Sequence, residues 1–110
     1  MEATSKPVLV TSMRATADVL EQTFIGVDGA PGVAGALTLG VVEKSTKSGE
    51  MAPLGVVGIF VVEANGVLAI GDEIEVGANA KALKKSAGIA VGRAYSATAQ
   101  AGELVAIKVY

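Results

Sequence analysis

Few side chains of this sequence are suited to catalysis. Its 110 residues include no histidine and no cysteine, which excludes Ser-His and Cys-His nucleophile pairs, histidine or thiolate metal sites, and disulfides. Carboxylate pairs remain as acid and base, and Glu73 and Glu75 have the spacing that puts two side chains on one face of a strand. Because they alternate with Ile74 and Val76, we predict that both acids face solvent. The sequence therefore predicts a protein that is not an enzyme and binds no cofactor or metal.

A glycine-rich segment, residues 26–35, looks like a loop that cradles phosphate. It lacks the Gly-Lys-Ser/Thr ending of a P-loop, and no convincing helix follows that could offer its N-terminus to an anion. We interpret it as a connection between strands.

Residues 81–85 contain three lysines and follow a strand-like segment. The arrangement is similar to the hairpin on which biotinyl or lipoyl carrier domains display a modifiable lysine, but the usual Met-Lys or acidic-Lys context is absent. Solvated lysines that protect a strand edge are the alternative. A mass increment on Lys81, Lys84 or Lys85 would favour a carrier.

The composition limits the classes of partner. A net charge of −2 provides no basic surface for nucleic acid. The uncharged stretches are too short and glycine-rich to cross a membrane, and the N-terminus has no signal pattern. Hydrophobic residues make up 51% of the chain and charged residues only 18%, so we expect some apolar surface to contact a protein partner.

The pattern of β-branched residues predicts an all-β fold, a small barrel or sandwich of short strands. We divide the chain into an N-terminal arm or first strand over residues 1–12 and a single β domain over 13–110. At most one short helix is expected, around residues 15–22. The predicted strands are 8–11, 23–27, 37–43, 56–63, 73–76, 89–95 and 104–110.

Turn signals and alternation add detail to these strands. Gly49, Gly71 and Gly102 each precede an acid and a strand, where a tight turn favours positive φ. Residues 64–66 (Ala-Asn-Gly) predict a type I′ hairpin. In the last strand Val105, Ile107 and Val109 share one apolar face, whereas residues 56–62 are apolar on both faces, as in a central strand or one facing another subunit.

The start of the chain is the candidate partner-binding segment, and its residues are Pro7, Val8, Leu9, Val10 and Thr11. A β-prone stretch after a polar tail could add a strand to an exposed edge of a neighbouring subunit. Alternatively, it is an ordinary first strand of the domain's own sheet.

Pieces spread over nearly the whole chain match one family in sequence order. They are residues 15–18 (Ala-Thr-Ala-Asp), 23–29, 39–42 (Leu-Gly-Val-Val), 48–50 (Ser-Gly-Glu), 69–76, 88–94 and 99–109. On these pieces the chain resembles the bacteriophage capsid cement, or decoration, proteins.

The resemblance implies a function as well as a fold. It implies an all-β protein, made in the bacterial host cytoplasm, that attaches to the exterior of the virion capsid and stabilises it by bridging major capsid subunits. It also implies a homo-oligomer, a trimer, at three-fold or quasi-three-fold positions. Another phage tail or virion module, and a small carrier or ligand-binding barrel, are the alternatives.

Overall fold

The computed structural model describes residues 6–98 and 100–109, with only the backbone for residues 6–8. The predicted arm before Lys6 and the Tyr110 end of the last predicted strand lie outside the described residues. The described part of the chain forms strands and one short 3₁₀ turn. They are β1 (Lys6–Arg14), β2 (Phe24–Ile25), β3 (Gly40–Val42), β4 (Met51–Glu63), β5 (Glu73–Val76), the 3₁₀ turn Ala78–Ala80, β6 (Ala82–Lys84), β7 (Gly92–Ala94) and β8 (Leu104–Val109).

All of these strands belong to one antiparallel sheet. Its order is β2-β3-β4-β8-β7-β5-β6, and β1 pairs with β4 outside this path. Gly58 and Ile59 of β4 are in register with both β1 and β8, so these two strands flank β4 on opposite edges. The sheet curves into a nearly closed barrel, which confirms the predicted all-β class.

Each predicted strand corresponds to an observed one, although only β5 has its predicted bounds and β6 was not predicted. Strand β6 was missed because its three residues, Ala-Leu-Lys, include no β-branched side chain. The sequence allowed at most one short helix, around residues 15–22, and none forms there. The amide and the carbonyl of Val19 both bond to Thr46, and Gln22 has φ of +62°, so the segment is irregular.

The three turn glycines behave as predicted. Gly49, Gly71 and Gly102 have φ of +89°, +91° and +92°, and a Cβ on any of them would meet no atom within 4 Å. By contrast, the hairpin predicted at residues 64–66 is wrong. Neither Asn65 nor Gly66 has positive φ, and β4 pairs with β8 instead of the next strand. Asn65 donates its amide hydrogen to the Ala82 carbonyl, which takes the chain away from β4.

The backbone contains an internal structural repeat of two similar units. Strands β1, β2, β3 and the first half of β4 form a first unit (residues 6–57), and the second half of β4, β5, β7 and β8 form a second unit (residues 58–109) with the same pairings. Loop hydrogen bonds recur at equivalent places. The pairs are Val19–Thr46 and Leu68–Thr98, Gln22–Val42 and Gly71–Ala94, and Ala15–Glu50 and Ala64–Glu103.

Each unit has its own hydrophobic core. Ile25, Val42 and Leu54 are fully buried in the first unit. Their equivalents, Ile74, Ala94 and Ile107, lie in the second core, which also contains Phe60 and receives Phe24 and Val41 from the first unit. Strand β4 runs from one core to the other and joins the two units into one structure.

Candidate binding surfaces

The candidate partner-binding segment lies within β1. Pro7 is in register with Gly58, Leu9 with Val57 and Thr11 with Leu54, so the segment joins the chain's own sheet along one edge. Its other edge pairs with no other strand among the described residues. Backbone groups on that edge remain available to a strand from another protein.

Side chains in the middle of β1 are apolar and exposed. Leu9 is 52% exposed and Val10 is 56% exposed, and the register with β4 shifts on both sides of Leu9, so the regular alternation of a strand does not apply here. Arg14 stands at one end of the strand, where its charge hinders edge pairing. The middle of β1 has no charge and no proline, but the shifts in register on both sides of Leu9 are irregularities of the kind that hinder edge pairing.

The doubly apolar run of residues 56–62 belongs to the central strand. Phe60 and Val62 are fully buried, whereas Val56, Val57 and Ile59 are only half-buried. Burial between the flanking strands and in one core therefore explains why part of this run is apolar. Its first residues, Val56 and Val57, leave some apolar surface exposed beside β1.

A second apolar surface is formed by loops of the second unit and the first residue of β8, and we call its four residues, Val67, Ile70, Tyr95 and Leu104, the apolar loop surface. They are 68%, 67%, 49% and 46% exposed. The Gly71 amide donates to the Ala94 carbonyl at 2.8 Å, which brings Ile70 beside Tyr95.

The predicted exposure of Glu75 is wrong. Glu75 is only 6% exposed, because the segment after β6 folds over its side of the sheet. One carboxylate oxygen accepts hydrogen bonds from the Ser86 amide at 2.6 Å and the Ser86 hydroxyl at 3.1 Å. The Ser86 backbone bond, together with weaker contributions from the Ser86 hydroxyl, the Gly88 amide and Lys85, holds the pKa of Glu75 below its usual value despite burial.

Those bonds give Glu75 a structural role. A Cβ on Gly88 would collide with the Glu75 carboxylate, so glycine is required for the close approach. Glu73 is exposed as predicted, and the two carboxylates have different surroundings. Glu75 joins the segment after β6 to the sheet, and its charge is already satisfied by the protein.

The two motif-like segments have ordinary positions. Residues 26–35 form part of the connection between β2 and β3, as predicted. The tip of the β5–β6 turn is Ala78–Ala80, with no lysine. Lys81 follows it and pairs with Glu63 at 3.4 Å, and Lys84 ends β6.

In residues 6–98 and 100–109, no group of three or more acidic, histidine or cysteine side chains is arranged to hold a metal ion. Within the same residues no helix is long and apolar enough to span a bilayer.

Comparisons with known proteins agree with the fold. A family described as "Phage cement protein" matches residues 3–109. The crystal structure of the head fiber gp8.5 N base of bacteriophage phi29 is similar, with a TM-score of 0.75 and 17% identity over 93% of each chain. No curated protein matches. Because the family match covers almost the whole sequence, the chain belongs to the phage cement protein family.

Proposed function

We propose that this phage structural protein binds the outer surface of an assembled capsid and stabilises it by bridging neighbouring major capsid subunits. The observation that carries the proposal is the family match over residues 3–109. The fold supports it, because exposed apolar side chains and a free sheet edge are features of a surface that binds protein. The proposal assigns no catalytic step to the chain.

Stabilisation would follow from mass action. A protein that binds the assembled shell but not its free subunits lowers the free energy of the shell by an amount set by its concentration and dissociation constant. Many copies bind one particle, so a modest contact per copy is sufficient. Bridging of two neighbouring subunits additionally requires at least two contacts on one copy.

We place one of these contacts at Pro7, Val8, Leu9, Val10 and Thr11. The free edge of β1 can accept a strand from a capsid subunit, and Leu9 and Val10 would bury their exposed surface against it. We also propose that the protein forms a trimer at three-fold or quasi-three-fold positions on the virion exterior, after synthesis in the host cytoplasm. The half-buried residues Val57 and Ile59 beside β1 are the candidate contact between copies.

Binding to heads that lack this protein tests the proposal. Wild-type protein should co-sediment with such heads and raise the temperature at which they release DNA. The double variant Leu9→Lys, Val10→Lys should bind at least tenfold more weakly, because each lysine would bring an unpaired charge into the contact. The control is Val33→Lys, Leu37→Lys, since these residues are 66% and 58% exposed in the β2–β3 connection.

Several outcomes would count against the proposal. Failure of folded wild-type protein to bind any head would reject the capsid function, and binding by the β1 variant equal to that of the control would reject the β1 contact. Light scattering tests the trimer separately, both for free protein and for protein released from heads. A monomeric mass in both would reject it.

A further inference from the structure

Loops at equivalent positions of the two units differ completely in charge. In the first unit, residues 15–22 and 43–49 include five charged side chains. In the second unit, the equivalent residues 64–71 and 95–102 include none. The same hydrogen bonds hold both sets, with Val19 joined to Thr46 in one and Leu68 to Thr98 in the other. The difference in charge therefore does not follow from the backbone.

Three exposed apolar residues of the second unit stand where the first unit has acids. By these hydrogen bonds Val67 corresponds to Asp18, Ile70 to Glu21, and Tyr95 to Glu43. All three positions of the second unit are at least 49% exposed. Solvated acids occupy the same backbone in the first unit, so the fold does not require apolar side chains at these positions.

Backbone hydrogen bonds place the residues of the apolar loop surface on neighbouring segments. Val67 and Ile70 lie in one loop on either side of the Leu68 bridge, and Ile70 is in the turn that the Asp72 amide closes by donating to the Ala69 carbonyl at 3.1 Å. Tyr95 donates its amide hydrogen to the Ala106 carbonyl at 2.7 Å, and Leu104 lies two residues from Ala106. Residues directly opposite each other share a face of the sheet, so Tyr95 and Leu104 are diagonal neighbours on one face.

We propose that the apolar loop surface docks onto an uncharged, apolar area of the assembled capsid shell, as a second contact separate from β1. This inference rests on the proposed function, because bridging two subunits requires two contacts on one copy. The absence of charge in residues 64–71 and 95–102 identifies the partner's chemistry. A charged partner surface would lose hydration here without gaining a counter-charge.

Two features of binding follow. The contact should depend weakly on salt, because residues 64–71 and 95–102 have no charged side chain and the flanking Asp72 and Arg93 are engaged with the loop backbone at Ala69 and Gly71. It should also be abolished by acids at the positions where the first unit has them. The triple variant Val67→Asp, Ile70→Glu, Tyr95→Glu introduces acids at these positions. Each new acid is the residue type found at the equivalent position of the first unit, at Asp18, Glu21 and Glu43.

The test compares this triple variant with a control of equal charge. The control is Val27→Asp, Val33→Glu, Leu37→Glu, which removes three exposed apolar side chains from the β2–β3 connection. Both are titrated onto heads that lack the protein, at low and high salt. We expect the triple variant to bind at least tenfold more weakly than wild type, the control to bind within twofold, and wild-type affinity to change less than threefold with salt.

The outcomes separate the inference from the proposed function. If wild-type protein does not bind heads, the capsid function itself fails. If wild type and the control bind but the triple variant binds equally well, the apolar loop surface is not a contact. If the triple variant still binds heads and instead loses self-association, the occupant is a second copy and the inference is wrong. Circular dichroism establishes that each variant is folded, and single substitutions replace the triple variant if it is not.

Discussion

Alanine at Gly71 should lower the melting temperature more than asparagine does, whereas at Gly92 asparagine should lower it more than alanine does. The orders differ because the two glycines are needed for different reasons. Gly71 has φ of +91°, and a Cβ there would meet no atom within 4 Å. Gly92 has no positive φ, but its Cβ would lie 2.5 Å from the Lys108 carbonyl oxygen and 2.8 Å from a methyl carbon of Ile107. The first position requires a conformation, and the second requires space.

The expected magnitudes follow from these geometries. Alanine at Gly71 must adopt left-handed backbone, which costs about 1–2 kcal/mol, and asparagine tolerates that backbone better. An unfolding entropy of about 2.1 cal/mol/K per residue gives about 0.23 kcal/mol/K for this chain, so Gly71→Ala should lower Tm by about 4–9 °C. At Gly92, crowding should cost about 1–3 kcal/mol with alanine and more with the larger asparagine.

Calorimetric melting of the four variants and of Gly66→Ala provides the assay. Gly66 is the control because it has no positive φ and its nearest neighbour would be Leu83 Cδ1 at 3.9 Å. Gly66→Ala should keep or slightly raise Tm. We expect Gly71→Asn to melt above Gly71→Ala, and Gly92→Ala to melt above Gly92→Asn. The same order at both positions would refute the distinction between conformation and space.

Three further predictions concern the core, the buried acid and the surface. Gly55→Ala should lower the free energy of unfolding by about 1–3 kcal/mol, because its Cβ would collide with the Phe60 ring. In urea unfolding, the double variant with Phe60→Leu should lose less stability than the sum of the two single changes. Strict additivity would contradict the contact between these residues. The folded-state pKa of Glu75 lies below its ordinary value of 4.5, so the stabilisation from this carboxylate is complete above the unfolded-state pKa and is lost as the pH falls through the folded-state pKa. In thermal melts at decreasing pH, the melting temperature of Glu75→Gln should therefore fall less steeply than that of wild type. An equally steep fall would reject this role. Lys81→Ala should change the free energy of unfolding by less than about 1 kcal/mol, since the Lys81–Glu63 pair is partly exposed, and a larger loss in urea unfolding would show a role beyond that pair.

The sequence determined those features that depend on neighbouring residues. Alternation of polar and apolar residues located β5 at its observed bounds and identified the buried face of β8, at Val105, Ile107 and Val109. Gly71 and Gly102 were identified as turn residues because only glycine adopts their φ without strain. The absence of histidine and cysteine excluded most catalytic and metal-binding arrangements. The order of short motifs along the whole chain was sufficient to indicate the phage cement family.

Only the tertiary structure decided features that depend on residues distant in the chain. Alternation put Glu75 on the outer face of β5, but the segment containing Ser86 covers that face and buries the acid. Asn65 and Gly66 have the residue types of a hairpin, yet β4 pairs with β8 because their apolar faces pack in one core. The structural repeat of the two units is likewise not visible in the sequence. The backbone hydrogen bonds recur in both units, but the side chains at equivalent positions differ. Burial and pairing are properties of the packed chain, and local sequence patterns contain no information about which distant segment covers them.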